Sequence, residues 1–407
     1  MRRDSKVFNQ IAVALFVITI VTRLTSAYLG LSLIAATIMS LFFVLILFLT
    51  KKIKLGVNSY PELTSIYLLL LFIPISLLWT DSPDYGFSKM QIFMPLVLTS
   101  ILTSKFIISE FDFFKRIYFV LFVIICISLL FGGALARIDL MSVSSGNRFV
   151  LDKDAINSSV TIANFFGFSL IMMYGYYADI KKTYMKFIVI LTSLLCGYFL
   201  FYTGSRGPIV ALFFSFLFFR LINNKKRFQL LLLFAFGLMI SIINPLSIIS
   251  LLPQQFVDLL DLRYLSEDAY VSVEERLFYY TKAINGIFEG NFLEVFFGHG
   301  LGDYSDLLLN RDARAYPHNL ILEIGYELGL IALFLFVYLN IRLVNIHRNI
   351  NSNNKFSFFF ILYYYLLIRS FFSSDLTGNY FVFTFLFSIF LMYRLYSNKK
   401  ITKTNLI

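Results

Sequence analysis

The sequence predicts an all-α polytopic membrane protein, and three observations carry that reading. Hydrophobic residues make up 58% of the 407 residues, and the mean hydropathy is +0.77. Charged residues are only 14%, where a soluble domain holds about 25%. Apolar runs long enough to cross a hydrocarbon core as a helix of roughly 20 residues recur along the whole chain. An aromatic content of 18%, including 49 phenylalanines, suits a surface that faces lipid.

Twelve such runs are predicted to span, near 8–25, 29–50, 62–79, 88–104, 117–135, 157–178, 187–203, 207–222, 228–250, 319–341, 356–373 and 379–396. The first is long and has no small-residue cleavage pattern, so it is expected to stay as an anchor. Gly204, Ser205 and Arg206 alone separate the seventh and eighth, which predicts a tight hairpin. There is no internal repeat and no low-complexity segment, and residues 1–407 form one integral membrane domain.

The connections divide by charge. Alternate breaks, with both termini, collect 23 of the 35 lysines and arginines, among them Lys51, Lys52 and Lys54, Lys181, Lys182 and Lys186, and Arg220, Lys225, Lys226 and Arg227. Lys and Arg excess marks the cytoplasmic side, so both termini are expected there. The formal charge of +11 is thus an orientation signal rather than a nucleic-acid surface. On the other face two longer connections stand out, 136–157 and 251–317. The second lies between the ninth and tenth spans and carries eleven acidic and five basic residues, a formal −6. Connections of that length inside a compact fold are usually functional or disordered. Apolar periodicity from Leu277 to Ile287 predicts short amphipathic helices at the membrane surface, and Ser272 with Glu275 fits a capping box that would start one.

Ionisable residues at membrane depth are costly and point to function. Arg206, Arg276, Arg314 and His318 cluster on the extracytoplasmic side of this layout, with Arg369 near the outer end of an apolar run. A guanidinium presents a planar fork that matches phosphate oxygens, although Arg206 also reads as an interface arginine that snorkels and Arg276 as a surface residue paired with a glutamate. His318, between Pro317 and Asn319 where a helix begins, is expected to be neutral near pH 7 and able to accept a proton from a hydroxyl. A histidine bonded to backbone near a cap is the plainer alternative. Glu323 and Glu327, one turn apart, could form a carboxylate pair for glycoside chemistry, polar contacts inside the bundle, or a support that orients His318 or a sugar. His299 reads as a turn residue and His347 as cytoplasmic and solvated. The three histidines show no zinc-ligand spacing, and Cys126 and Cys196 read as small core residues. Gly298, Gly300 and Gly302 follow no strand of a βαβ unit, which excludes a nucleotide-binding loop.

Three elements in order, Thr203-Gly204-Ser205-Arg206-Gly207, Arg276 at an amphipathic segment, and Gly298-His299-Gly300-Leu301-Gly302 running to Pro317-His318-Asn319 and on through Leu322-Glu323 and Glu327-Leu328-Gly329, resemble the bacterial O-antigen polymerase and ligase superfamily. The resemblance implies a metal-independent, cofactor-free, inverting glycosyltransferase in a bacterial cytoplasmic membrane with a periplasmic site. The donor would be a glycan on undecaprenyl diphosphate, with Arg206 and Arg276 on the diphosphate and His318 activating the acceptor hydroxyl. The position of Arg314 adds it to the expected diphosphate-binding set, and Asn319, Glu323, Glu327 and Arg369 are candidates for support. The tyrosine before Pro317-His318-Asn319 and Glu327-Leu328-Gly329 after it resemble polymerases, which transfer the chain to another lipid-linked repeat unit. A ligase would transfer it to lipid A-core, and a Gram-positive capsule polymerase also fits. Membrane lipid and a chain-length regulator are further expected partners. A flippase for lipid-linked sugars is the main non-enzyme alternative, but it would be expected to show related halves with broken helices near the midplane.

Overall fold

A backbone in lipid must satisfy its own hydrogen bonds, and helices do this within one segment. The computed structural model describes residues 2–24, 42, 61–131, 159–203, 205–222, 267–350, 354–372 and 375–404, and all regular structure among them is helical. In chain order the helices are α1 (Arg2–Leu24), α2 (Pro61–Ile75, continued by a 3-10 turn, Ser76–Leu78), α3 (Pro83–Ser109), α4 (Phe111–Phe131), α5 (Ser159–Tyr177), α6 (Thr183–Tyr202) and α7 (Arg206–Leu221). Then come α8 (Glu267–Glu289), α9 (Phe292–Phe297), α10 (Tyr304–Leu309), α11 (Leu320–Glu327), α12 (Gly329–Asn349), α13 (Asn354–Arg369) and α14 (Tyr380–Thr404).

Among the described residues five helices are long and apolar enough to cross a membrane: Pro61–Leu78, Pro83–Ser109, Thr183–Phe201, Gly329–Asn349 and Tyr380–Ser397. Lys6–Ile18 and Phe356–Arg369 are shorter apolar helices, and the runs expected near 157–178 and 207–222 are the helices α5 and α7. The spans expected near 29–50 and 228–250, the loop 136–157 and residues 251–266 lie outside the described residues, Phe42 apart.

Helices α13 and α14 hold the centre. α13 packs on α5, α7 and α14, and α14 on α2 and α3. From Phe358 to Leu366 every residue of α13 is buried, the pattern of a helix enclosed by others. Rings knit this core, as where Phe111 stacks on Phe359 at 5.2 Å and Phe168 on Phe381 at 5.7 Å. α6 instead exposes Phe187, Leu191, Leu194 and Tyr198 along one side, the face a peripheral span offers to lipid.

The bundle has two chemically different ends. At one, Arg342 pairs with Glu62 at 2.6 Å, Lys115 with Asp179, and Arg348 Nε donates to the Ile222 carbonyl. At the other, the loops before α3, α7, α11 and α14 come together.

Two features depart from the sequence reading. The run 319–341 is not one helix: it breaks between α11 and α12, where Gly329 has φ +77°, a conformation costly for any residue with a Cβ. Ser272 does not start a helix, because α8 already runs from Glu267 and Ser272 to Glu275 sit inside it. Farther along, α8 buries Ala283, Gly286 and Ile287 against the bundle while exposing Leu277, Ile284 and Phe288. Phe288 is 67% exposed and Phe292 of α9 is 74% exposed, as expected of segments resting on a lipid surface.

Candidate active site at the loop-bearing end

The segment Gly298 to Asn319 is fixed by its glycines and by two aspartates. A methyl group on Gly300 (φ +106°) would lie 2.6 Å from Thr80 Cα, so glycine lets two backbones touch. The helix break frees the carbonyls of Tyr326 and Glu327. The glycine run takes them: His299 N donates to Tyr326 O at 3.0 Å and Gly300 N to Glu327 O at 2.9 Å. Trp79 Nε1 donates to Gly298 O, Thr80 Oγ1 to Leu301 O, and Asp81 N to Asp303 Oδ1. Farther on, Asp312 accepts from Asp84 N at 2.7 Å and Tyr85 N at 2.9 Å. Ser82, the N-cap residue of α3, makes no side-chain cap, and Asp312 satisfies those amides across the fold. The loop bearing Arg314 and His318 is therefore clamped at the start of a spanning helix.

His318 follows with φ +56°. A non-glycine residue held in the left-handed region stores strain that surrounding structure must enforce, and such residues gather at functional sites. The enforcement is local. Asn319 caps α11, its Oδ1 accepting from Ile321 N at 3.0 Å and Leu322 N at 3.3 Å, and Leu320 N donates to Ser370 O. The His318 ring lies 4.4 Å from the Tyr316 ring and stacks at 6.0 Å on Tyr279 of α8. Among the described residues the ring makes no hydrogen bond to backbone.

Burial pushes the His318 pKa down to about 4, and the charges of Arg276 and Arg314 push the same way, against Asp375. A pKa that low favours the neutral ring at pH 7. Arg276 sits on α8 three residues before Tyr279. Arg314 lies with its Cζ 5.7 Å from the centre of the Tyr316 ring. Among the described residues neither guanidinium is within ion-pairing distance of a carboxylate.

The end of α13 joins these pieces. The Phe371 carbonyl accepts from Tyr280 Oη of α8 at 3.0 Å and from Asn319 Nδ2 at 3.4 Å. A methyl on Gly207 would lie 3.1 Å from Phe372 Cβ, which sets the start of α7 against the same segment. Arg206 is the first residue of α7, the last of the three residues expected to form the hairpin. His318 thus lies within electrostatic reach of both Arg276 and Arg314, and Arg206 starts the helix that packs against the segment bound by Tyr280 and Asn319.

The other expected residues do different work. Arg369 is buried and its Nη2 donates to Gly378 O at 3.0 Å and Asn379 Oδ1 at 2.7 Å, so it latches the loop between α13 and α14. Glu323 and Glu327 lie below the surface, where both face Lys89 of α3. Lys89 Nζ is 2.7 and 2.6 Å from the two Glu327 oxygens and 2.5 Å from Glu323 Oε1, with the side chains essentially inaccessible. That places them in a buried ion cluster joining α3 to α11.

Two residues went unremarked in the sequence. Lys89 was legible as a cation inside an apolar run. Asp375 gave no such signal, because it falls in the polar connection between two runs. It is buried, accepts from Thr377 Oγ1 at 2.7 Å and Gly378 N at 2.9 Å through Oδ1, and is the acidic neighbour felt by both His318 and Arg314.

His299 lies in the loop after α9, stacked on Tyr326 at 4.3 Å. His347 is not solvated: it is 4% exposed, sandwiched between Phe219 and Phe360, with Nδ1 2.9 Å from Tyr364 Oη. A helix end that carries basic residues looks solvent-facing in sequence, but α7 and α13 both cover it. Cys126 and Cys196 are buried free thiols. Among the described residues no group of three or more His, Cys, Asp or Glu side chains is placed to hold a metal ion.

No curated protein matches the chain. A family model described as O-antigen ligase matches residues 191–337. That stretch holds Arg206, Arg276, Arg314 and His318 together with the helix break after α11. Over that stretch, about a third of the chain, the protein is similar to the O-antigen ligase family, and the match supports a kinship with the superfamily of O-antigen polymerases and ligases.

Proposed function

We propose that this protein is a surface-polysaccharide polymerase. In this reading it transfers a glycan from undecaprenyl diphosphate to a hydroxyl of another lipid-linked repeat unit, at the outer face of the cytoplasmic membrane. The observation that carries the proposal is the pairing of a neutral, strained histidine with two arginines that lack a carboxylate partner among the described residues. Arg276 is partly buried and Arg314 exposed, and a diphosphate offers fixed geometry to a guanidinium fork. The N-termini of α7 and α11 point partial positive charge at the same end.

The chemistry balances without further groups. His318 takes the proton of the acceptor hydroxyl as its oxygen attacks the anomeric carbon. The bond from that carbon to the diphosphate oxygen breaks, and the electron pair leaves with the diphosphate, inverting the configuration. Arg276, Arg314 and Arg206 stabilise the leaving charge, which is electrostatic catalysis by preorganised groups. A pKa near 4 makes the free histidine a weak base. Bound diphosphate offsets the arginine charges and strengthens it when the acceptor is in place. Asp375 shares that effect and holds the imidazolium that forms.

The family description favours a second reading, a ligase with the same chemistry and lipid A-core as acceptor. Reconstitution distinguishes them. Purified protein in liposomes with lipid-linked repeat units, without and with lipid A-core, yields a ladder from repeat units alone if it polymerises. It yields product only with lipid A-core if it ligates. Movement of substrate across the bilayer with no glycan transfer, unchanged in His318→Ala, would overturn both and leave a flippase.

A further inference from the structure

Beside the site, a cavity of about 400 Å³ opens between α7, α12 and α13. Its upper end is Ile321 and Phe371, and its wall continues along α12 through Val337, Ile341 and Val344 to Arg348. From Phe336 to Arg348 this wall is about 18 Å long at 1.5 Å per residue, more than half of a hydrocarbon core of about 30 Å.

The groove is mostly apolar, with Asn340, Asn345, Arg348 and Tyr364 the lining residues that carry polar atoms. Asn340 lies on it, but its Nδ2 donates to Phe336 O at 2.8 Å and its Oδ1 accepts from Tyr363 Oη at 2.7 Å, so it presents no spare polar group. Arg348 at the far end donates through Nε to Ile222 O. Val337 and Ile341, one turn apart, are 41% and 56% exposed, so the groove is open on the side of α12 turned away from the core.

The upper end decides the occupant. Phe371 is the residue whose carbonyl is bound by Tyr280 and Asn319, and Ile321 follows His318 by three residues. Leu320 N donates to Ser370 O, so the upper end of the groove adjoins the turn that carries His318 and the carbonyl bound from the helix of Arg276. Only an amphiphile satisfies both ends at once: a long hydrocarbon chain below and an anionic head above. We infer that this groove seats the polyisoprenoid chain of the lipid-linked substrate, so that the tail sets the register of the diphosphate on the arginines. The inference rests on the transferase reading of the site and adds where the carrier lies.

The shared chemistry is a long hydrocarbon chain, which bulk phospholipid also has, and the test separates the two. In the first arm, a diazirine-bearing polyprenyl diphosphate is crosslinked to the detergent-solubilised full chain and the labelled peptides are mapped. Label on α12 and α13 groove residues, suppressed by unlabelled polyprenyl diphosphate but not by phosphatidylglycerol, is expected. Label elsewhere, label equally displaced by phosphatidylglycerol, or a groove reached only by crosslinks from residues 228–250 would overturn the assignment.

In the second arm, Ile341→Trp and Val337→Trp narrow the groove from exposed positions, with a ten-carbon isoprenoid donor as control. Each variant is expected to raise KM at least tenfold for the full-length carrier. The ten-carbon donor should be turned over as in the parent protein, which also shows that the variant is folded. An unchanged ratio of long to short donor would sink the proposal. Loss of transfer by both donors only in His318→Ala, with the groove still labelled, would uphold the site chemistry independently. Full transfer activity in His318→Ala would refute the function while leaving the groove arm readable by crosslinking.

Discussion

Replacing Arg276 by glutamine is expected to raise the pKa of His318. Burial is the largest cause of its low value of about 4, and Arg276 comes next, ahead of Arg314. Against an ordinary histidine near 6.5, the folded protein prefers the neutral ring by about 3 kcal/mol, at roughly 1.4 kcal/mol per pH unit. Most of that difference survives loss of Arg276, because the ring stays buried. The part owed to one nearby like charge moves the value up by roughly one pH unit. The linked effect on stability has a definite sign. The folded pKa lies below the unfolded one, so the unfolded chain binds the proton more tightly. The contribution is complete above about pH 6.5 and is lost as pH falls toward about 4. Arg276→Gln should shrink that acid-side loss. Histidine-selective NMR is direct here, since the chain has three histidines and His318→Gln identifies the resonance. The acid limb of kcat/KM should shift the same way, although turnover falls because diphosphate holding is weakened. A His318 titration that stays near 4, or moves lower, in Arg276→Gln would refute the claim that these two side chains share one site.

Three more outcomes follow from named contacts. Lys89→Met leaves Glu323 and Glu327 buried without their cation and should cost about 3–5 kcal/mol, read as a lower melting temperature in detergent. Adding Glu323→Gln and Glu327→Gln to it should restore much of the loss, and a Lys89→Met protein that melts like the parent would show the cluster is not structural. Asp312→Ala removes the acceptor for two amides of α3 and should cost about 1–2 kcal/mol. Faster hydrogen exchange is expected over residues 310–318, and unchanged exchange there would mean the loop is not clamped by this contact. Gly300→Ala puts a Cβ into Thr80 at a left-handed φ and should destabilise by about 1–3 kcal/mol. Equal melting temperatures would mean the close approach is not needed.

Legibility in the sequence tracked the range of the physics involved. Helical character needed only composition and run length, because lipid leaves the backbone little choice. Arg276, Arg314 and His318 were legible as candidates because charge in apolar surroundings is conspicuous one residue at a time. Their grouping on one face was legible too, but not the contacts that hold it, which run through Phe371, an ordinary aromatic whose carbonyl receives Tyr280 and Asn319. Asp375 was hidden for the opposite reason: a polar residue in a polar connection draws no notice until the fold turns it toward His318. The same failure misplaced His347, whose neighbours Phe219 and Phe360 lie far along the chain and enclose it.

The break between α11 and α12 shows how sequence features with separate plain explanations can have one cause. Hydropathy ran through Leu328 and Gly329 without interruption and so predicted a single span. Breaking it there frees the carbonyls of Tyr326 and Glu327, which would cost several kcal/mol in lipid if left bare. Gly298, Gly300 and Gly302 lie more than twenty residues earlier, and the backbone they shape donates to both carbonyls at 3.0 and 2.9 Å. The Cβ that alanine would place at Gly298 would lie 2.6 Å from Gly329 N, so each glycine requires the other. The break also makes α11 a short helix of its own, free to start at Asn319 and to carry Glu323 and Glu327 down onto Lys89. His318 is then held from two sides, by the cap at Asn319 and by the ion cluster beneath. A continuous span would have had neither the latch at its lower end nor the independence to aim its first turn. The glycine run and the Glu327-Leu328-Gly329 sequence are thus two halves of one device that positions the histidine.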